Sequence, residues 1–244
     1  MRIDIWSDIV CPFCYIGKRR LEAALERFEH RDQVEVVWHS FELDPNAPVG
    51  TQESTVEHVA AKYGIPVAQA RQNNAGLAAQ AATVGLQFNW EDALTANTFD
   101  AHRLVHLAAT KSREMADEME ERLMRAFFTE GFAVDDRAVL LDIASDAGLD
   151  EAEAEAVLDS DQFAADVRAD ENAARQLGIS GVPFFVFAEK YAVSGAQPLE
   201  VFENALATAW AETQPKPFEM VTGAAGAGAE DAPVCGPDGC ELPK

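Results

Sequence analysis

The chain has no apolar run long enough to cross a bilayer, little positive charge and only four cysteines, and each shortage removes a class of function. A spanning helix needs ~20 consecutive apolar residues, and nothing here approaches that. The opening residues carry no basic segment, apolar core or small-residue cleavage site of a secretory signal, so a soluble cytoplasmic protein is expected. Nineteen Lys and Arg face 42 Asp and Glu, a formal net charge of −23. Such a surface repels phosphate backbones and anionic lipids, so neither a nucleic-acid nor a membrane partner is expected. The acidic excess gathers between Glu114 and Glu171, where it reads as solvated helix faces. Four cysteines are too few for a disulfide scaffold, and in a reducing compartment they point to catalysis, redox sensing or metal binding. What is plentiful is hydrophobic residues, 48% of 244, enough for a large core.

The most constraining motif is Cys11-Pro12-Phe13-Cys14. Met1 to Ser7 reads as a strand with Ile3, Ile5 and Trp6 as apolar surface, and Ile9 and Val10 lead to the first cysteine. Ile16, Leu21, Ala24, Leu25 and Phe28 then recur at helical spacing, and Pro12 suits a first helical turn, where its missing N–H has no intrahelical partner. Cys11 thus falls at the helix N-cap. Free N–H groups and the positive end of the helix dipole favour a thiolate there, which makes Cys11 the expected exposed nucleophile. Cys14, one turn on and on the same side, is the expected resolving thiol. A zinc site would need two further ligands, and Cys235 and Cys240 have a different spacing in a different kind of sequence.

Val34–Phe41 is rich in β-branched and aromatic residues and reads as a second strand. Ser54-Thr-Val-Glu57 is a capping-box pattern, and helices are expected near 54–63, 67–83, 98–111, 114–129, 136–147, 151–158 and 161–177. Strand character returns at Pro183–Phe187 and Tyr191–Ser194 as an antiparallel hairpin, followed by a helix over Leu199–Trp210. The order β-α-β, helices, β-β-α defines an α/β protein: a small mixed sheet with a helical domain inserted into its middle. The expected division is 1–48 with 178–213 as the sheet domain, 49–177 as the insertion, and 214–244 as a flexible tail. That tail is rich in Pro, Gly and Ala, notably over Gly223–Ala229.

With Ser7–Gly17 at the front and Gly181-Val-Pro-Phe-Phe185 near the back, residues 1–212 resemble the DsbA family of thioredoxin-fold oxidoreductases, more narrowly its FrnE-type cytoplasmic branch. The resemblance implies a thioredoxin-like fold, Cys11 as nucleophile, Cys14 as resolving cysteine, and Pro183 in a cis peptide after Val182, facing the dithiol. Val182 and Pro183, with Pro12 and Phe13, become the expected substrate-binding residues. The branch includes glutathione-dependent isomerases and transferases, similar to this chain over Asn97–Leu104, which carry serine at the nucleophile position. Cys11 stands there in this chain, which favours dithiol exchange with no bound cofactor. Periplasmic relatives have histidine between the cysteines where this chain has Phe13, which implies a weaker oxidant.

His102 and His106 share a helical face, but His-Arg-Leu-Val-His lacks the internal glutamate of a zinc-protease helix, and packing is the expected role. His39 is placed to tune the dithiol or to serve as a structural histidine. Phe127, Phe128 and Phe132 are candidates for the core or for a surface that takes apolar substrate side chains. Cys235-Gly-Pro-Asp-Gly-Cys240 has the residues of a tight turn and reads as an auxiliary redox pair. The function expected is a protein thiol-disulfide oxidoreductase or isomerase acting on protein or peptide thiols and disulfides, recycled by a cellular thiol reductant. A glutathione-linked isomerase or transferase of small aromatic compounds and a holdase-like binder of unfolded chains are the alternatives.

Overall fold

The central strand β1 (Arg2–Ser7) is short and buried along nearly its whole length, so its Ile3, Ile5 and Trp6 need cover on both faces. It pairs in parallel with β2 (Glu35–Ser40) and antiparallel with β3 (Phe184–Phe187), which hairpins to β4 (Tyr191–Ser194). The sheet order is β2-β1-β3-β4. This computed structural model describes residues 1–91 and 93–214 and the backbone of 235–236 and 239–240. Most of the expected tail, residues 215–234 and 241–244, and the centre of its turn, 237–238, lie outside the described residues.

Helix α1 (Pro12–Arg27) joins β1 to β2. Between β2 and β3 come α2 (Thr55–Tyr63), α3 (Val67–Ala82), α4 (Phe99–Lys111), α5 (Arg113–Arg125), α6 (Arg137–Asp146), α7 (Glu151–Leu158) and α8 (Ala164–Gln176). Helix α9 (Leu199–Thr213) closes the unit formed by Met1–Thr213. Ser54 caps α2 as its motif predicts, accepting the Glu57 N–H at 3.2 Å. One continuous core runs from Ile3, Phe185 and Phe202 at the sheet to Leu104, Leu123 and Met124 in the helices. Phe202 of α9 meets Phe185 edge to face at 4.9 Å, an arrangement worth about 1 kcal/mol beyond the area it buries.

Two boundaries differ from the periodicity. α5 stops at Arg125 and passes into a π-helical turn over Ala126–Glu130, where the pattern predicts plain helix to residue 129. The wider turn lets the adjacent Phe127 and Phe128 both reach the interior. α8 begins at Ala164, because Phe163 takes a left-handed conformation, φ +63°, and breaks the run expected from residue 161.

A separate unit, Gln214–Lys244, contains a two-residue antiparallel pair, β5 (Cys235–Gly236) and β6 (Gly239–Cys240), whose register sets Cys235 opposite Cys240.

Candidate active site

Strand β1 ends at Ser7, and a tight turn brings the chain to Cys11, whose N–H donates to the Asp8 carbonyl at 3.1 Å. Cys11 is the N-cap of α1 with Pro12 at the first helical position. The Cys14 and Tyr15 N–H groups close on the Cys11 carbonyl at 3.0 and 3.4 Å. The Cys11 thiol lies 3.6 Å from the Val182 carbonyl oxygen, to which it donates. The Val182–Pro183 peptide is cis. A four-residue sequence motif and the carbonyl of the residue before Pro183, 171 positions away, thus meet at one sulfur.

Close approach of α1 to the Pro183 loop depends on Gly17. A Cβ placed there would sit 3.0 Å from Phe185 and 3.2 Å from the Pro183 ring. Gly17→Ala should therefore cost about 1–3 kcal/mol, despite alanine's better helix propensity, as α1 is pushed off β3. Thermal unfolding checks this; an unchanged or raised midpoint would show that the helix relaxes freely.

Cys11 is only 4% exposed, which corrects the expectation of an exposed sulfur: it is reached through a cavity of about 690 Å³. Phe13, between the cysteines, is 41% exposed at the mouth of the cavity, with Leu43 and Tyr63 also on its lining. Val59, Leu77, Phe88, Trp90, Phe127 and Phe128 also line it, as do Asp8 and Val182 beside the sulfur. Phe88 stacks on Phe128 with ring centres 4.4 Å apart. Phe127 and Phe128 are core residues that also line the cavity, whereas Phe132 is exposed and outside the lining.

Cys14 is buried behind Cys11 at 1% exposure, and neither is in a disulfide. Burial pushes the Cys14 thiol well above its ordinary range, and the neighbouring Cys11 sulfur adds to this; the Asp8 N–H and Ser7 hydroxyl act in the opposite direction. The pair is therefore asymmetric, one sulfur facing a cavity and one held protonated.

Several side chains around the dithiol carry no motif. Lys18, one turn beyond Cys14, is buried against Glu22, with Asp117 and Glu121 at 3.1 and 3.4 Å. His102 of α4 is fully buried with Nε2 3.4 Å from an Asp8 carboxylate oxygen, an ion-pair separation rather than a hydrogen bond. Glu120 is also buried, although it lies in the acidic stretch read as solvated helix faces. His39 stands apart from the dithiol's contacts. It stacks on Trp6 at 4.5 Å and bridges Asp4 and Asp170, both at 2.7 Å, which settles on the structural role. Its neighbour on this network, His106, meets Asp170 at 3.3 Å. Among the described residues, no cluster of His, Cys, Asp and Glu is placed to hold a metal ion.

Residues 2–207 match the family model of the DSBA-like thioredoxin domain, and the chain belongs to the DsbA family. It is similar along the whole length of both chains to a probable DsbA oxidoreductase from Streptomyces coelicolor, with 44% identity and a TM-score of 0.83. Two more distant structures share the fold. The cytosolic disulfide reductase DsbM of Pseudomonas aeruginosa, solved with glutathione, is 19% identical with a TM-score of 0.61, covering 86% of this chain and 100% of its own. A 2-hydroxychromene-2-carboxylate isomerase is 16% identical with a TM-score of 0.64, covering 87% and 98%.

Proposed function

We propose that this protein is a cytoplasmic thiol-disulfide oxidoreductase or isomerase of protein and peptide substrates, working through a mixed disulfide at Cys11 that Cys14 resolves. The observation that carries the reading is the placement of Cys11 at the N-cap of α1, its thiol against the Val182 carbonyl, with Cys14 shut in behind it. A substrate disulfide entering the cavity meets Cys11; the Cys11–substrate bond forms and the substrate's second sulfur leaves as a thiolate. Cys14 then displaces the remaining substrate sulfur and closes the Cys11–Cys14 disulfide. A cellular thiol reductant reopens it. Val182 and Pro183 hold the extended substrate backbone, and Pro12, Phe13 and the apolar lining receive side chains flanking the reacting cysteine.

The insulin reduction assay with dithiothreitol tests this, with acceleration as the expected result. The cavity's aromatic lining also suits a glutathione-linked isomerase or transferase of small aromatic compounds, the second reading. Glutathione-dependent turnover of an aromatic substrate without insulin reduction would decide for it. Suppressed aggregation of an unfolded protein by the Cys11→Ser, Cys14→Ser double variant would favour the holdase reading.

The register that faces Cys235 with Cys240 supports an auxiliary redox pair, and we propose that this pair exchanges with the main dithiol. Deleting the residues after Gln214 should leave the melting temperature nearly unchanged and alter the turnover or reduction potential of Cys11–Cys14; an unchanged rate and potential would make the tail a passenger.

A further inference from the structure

The hairpin of α2 and α3 supplies part of the cavity wall and has a hydrophobic core of its own. Val56 and Ala60 of α2 meet Ala70 of α3 in a small buried cluster, with Val59, Ile65 and Trp90 packed against it, separate from the main core. The ends of the hairpin are anchored. At the start of α2 the Thr55 N–H donates to the Ala93 carbonyl and the Thr95 N–H to the Glu53 carbonyl, both at 2.9 Å. At the end of α3, Ala78 and Ala81 pack in the main core. Helix α3 therefore begins in one core and finishes in another, and Gly76 stands between Ala70 and Ala78 where it passes from the first to the second. Gly76 is exposed, and a Cβ placed there would meet no atom of the described residues within 4 Å. Glycine weakens a helix interior relative to alanine, and here neither a close approach nor a left-handed backbone calls for it. What glycine supplies at such a point is a helix that bends at low cost.

We propose that residues 55–75, α2 with the first part of α3, are a lid that bends at Gly76 and closes over a client segment once that segment is joined to Cys11. The inference rests on the dithiol reading above and adds how the adduct is held while Cys14 attacks. Val59 and Tyr63 of α2 and Asn73 and Asn74 of α3 line the same cavity as Cys11, Phe13 and Leu43. Tyr63 is 68% exposed, and Phe13 and Leu43 are 41% exposed each. Large apolar side chains on both the lid and the sheet side of the opening thus stand in water. Closure onto a bound chain removes them from it, which drives the motion. The asparagine amides offer donors and acceptors that match the peptide groups of a client and find nothing comparable on a small disulfide. A closed lid also keeps bulk water and free thiols from the adduct until the client is released.

Alanine at position 76 separates this role from ordinary helix stability. It stiffens α3, so the folded protein gains stability while the bend becomes harder. A glycine without a hinge role would give the gain alone.

The test compares the full-length chain with its Gly76→Ala variant in the reduction of two substrates, a disulfide-linked peptide and the small hydroxyethyl disulfide, with dithiothreitol as the final reductant. The variant should melt about 1–4 °C higher. Its turnover of the peptide should fall by about twofold to fivefold, the rate equivalent of the alanine–glycine difference in a helix, with turnover of the small disulfide unchanged. Peptide turnover at the parent's rate, or rates that fall together for both substrates, would overturn the lid. If the variant does not fold, amide hydrogen exchange in Cys14→Ser decides: slower exchange over residues 55–75 in the trapped peptide adduct than in the adduct with the small thiol supports the lid, and equal exchange overturns it. Failure of the parent to reduce either disulfide would instead remove the dithiol reading itself.

Discussion

Cys11→Ser should abolish disulfide exchange, a loss of several orders of magnitude, whereas Cys14→Ser should keep attacking substrates and accumulate them as covalent adducts. The asymmetry of the two sulfurs leads to this. Cys11 faces the cavity and the Val182 carbonyl; Cys14 lies behind it, its thiol held protonated by burial. An incoming disulfide therefore meets Cys11, and without Cys14 the mixed disulfide has no internal exit. Non-reducing gels of the Cys14→Ser protein incubated with oxidised substrate check the outcome, and bands should vanish when Cys11 is also replaced. Faster alkylation of Cys14 than of Cys11 in the wild-type protein would reverse the roles.

The second large effect concerns His39. Burial works to lower this imidazole, but hydrogen bonds to Asp170 and Asp4 and their charges outweigh it and raise the group from 6.5 to about 9. A raised folded-state value means that the unfolded chain gives up its proton first. The stabilisation is complete below about pH 6.5, fades as pH rises, and is gone above about 9. With 1.36 kcal/mol per unit, it amounts to roughly 3 kcal/mol. His39→Gln should cost about that much at pH 6, because Asp4 and Asp170 lose the cation that bridges them and only Asp4 keeps another, Arg2. Urea unfolding at pH 6 and pH 9.5 measures it: wild-type stability falls between the two and the variant's changes far less. Parallel curves would locate the charge elsewhere. The network also ties α8 to the sheet, since the Trp6 indole N–H donates to the Asp170 carbonyl at 3.2 Å and the Ser40 N–H to its carboxylate at 2.9 Å.

Much of this architecture is legible in the chain. The strands are short β-branched and aromatic runs, the helices keep a clean apolar period, and Ser54 and the cysteine motif mark helix starts by local chemistry. Pro183 is legible as a partner of the dithiol through family resemblance; spacing alone does not connect residues so far apart. Asp8, His102 and Glu120 escape because their meeting is made by packing between elements. Glu120 sits among acidic neighbours on α5, of which Glu114 and Glu118 face water, and nothing in their pattern marks it as the buried one. Lys18 likewise looks like a solvated charge until Asp117 and Glu121 arrive from α5. The π turn that delivers Phe128 has no signature in the apolar pattern.

On the proposed function, the recessed position of the Cys11 sulfur, 4% exposed at the wall of a largely apolar cavity, would make the protein a judge of its clients' mechanics. A disulfide fixed in the surface of a rigid domain has no way to carry its sulfur past Phe13 and Leu43 while its own backbone stays folded. A strand that has come loose does. An entrance used in that way would sort polypeptides by how far they can yield, sparing finished bonds and admitting those in chains that have lost their shape.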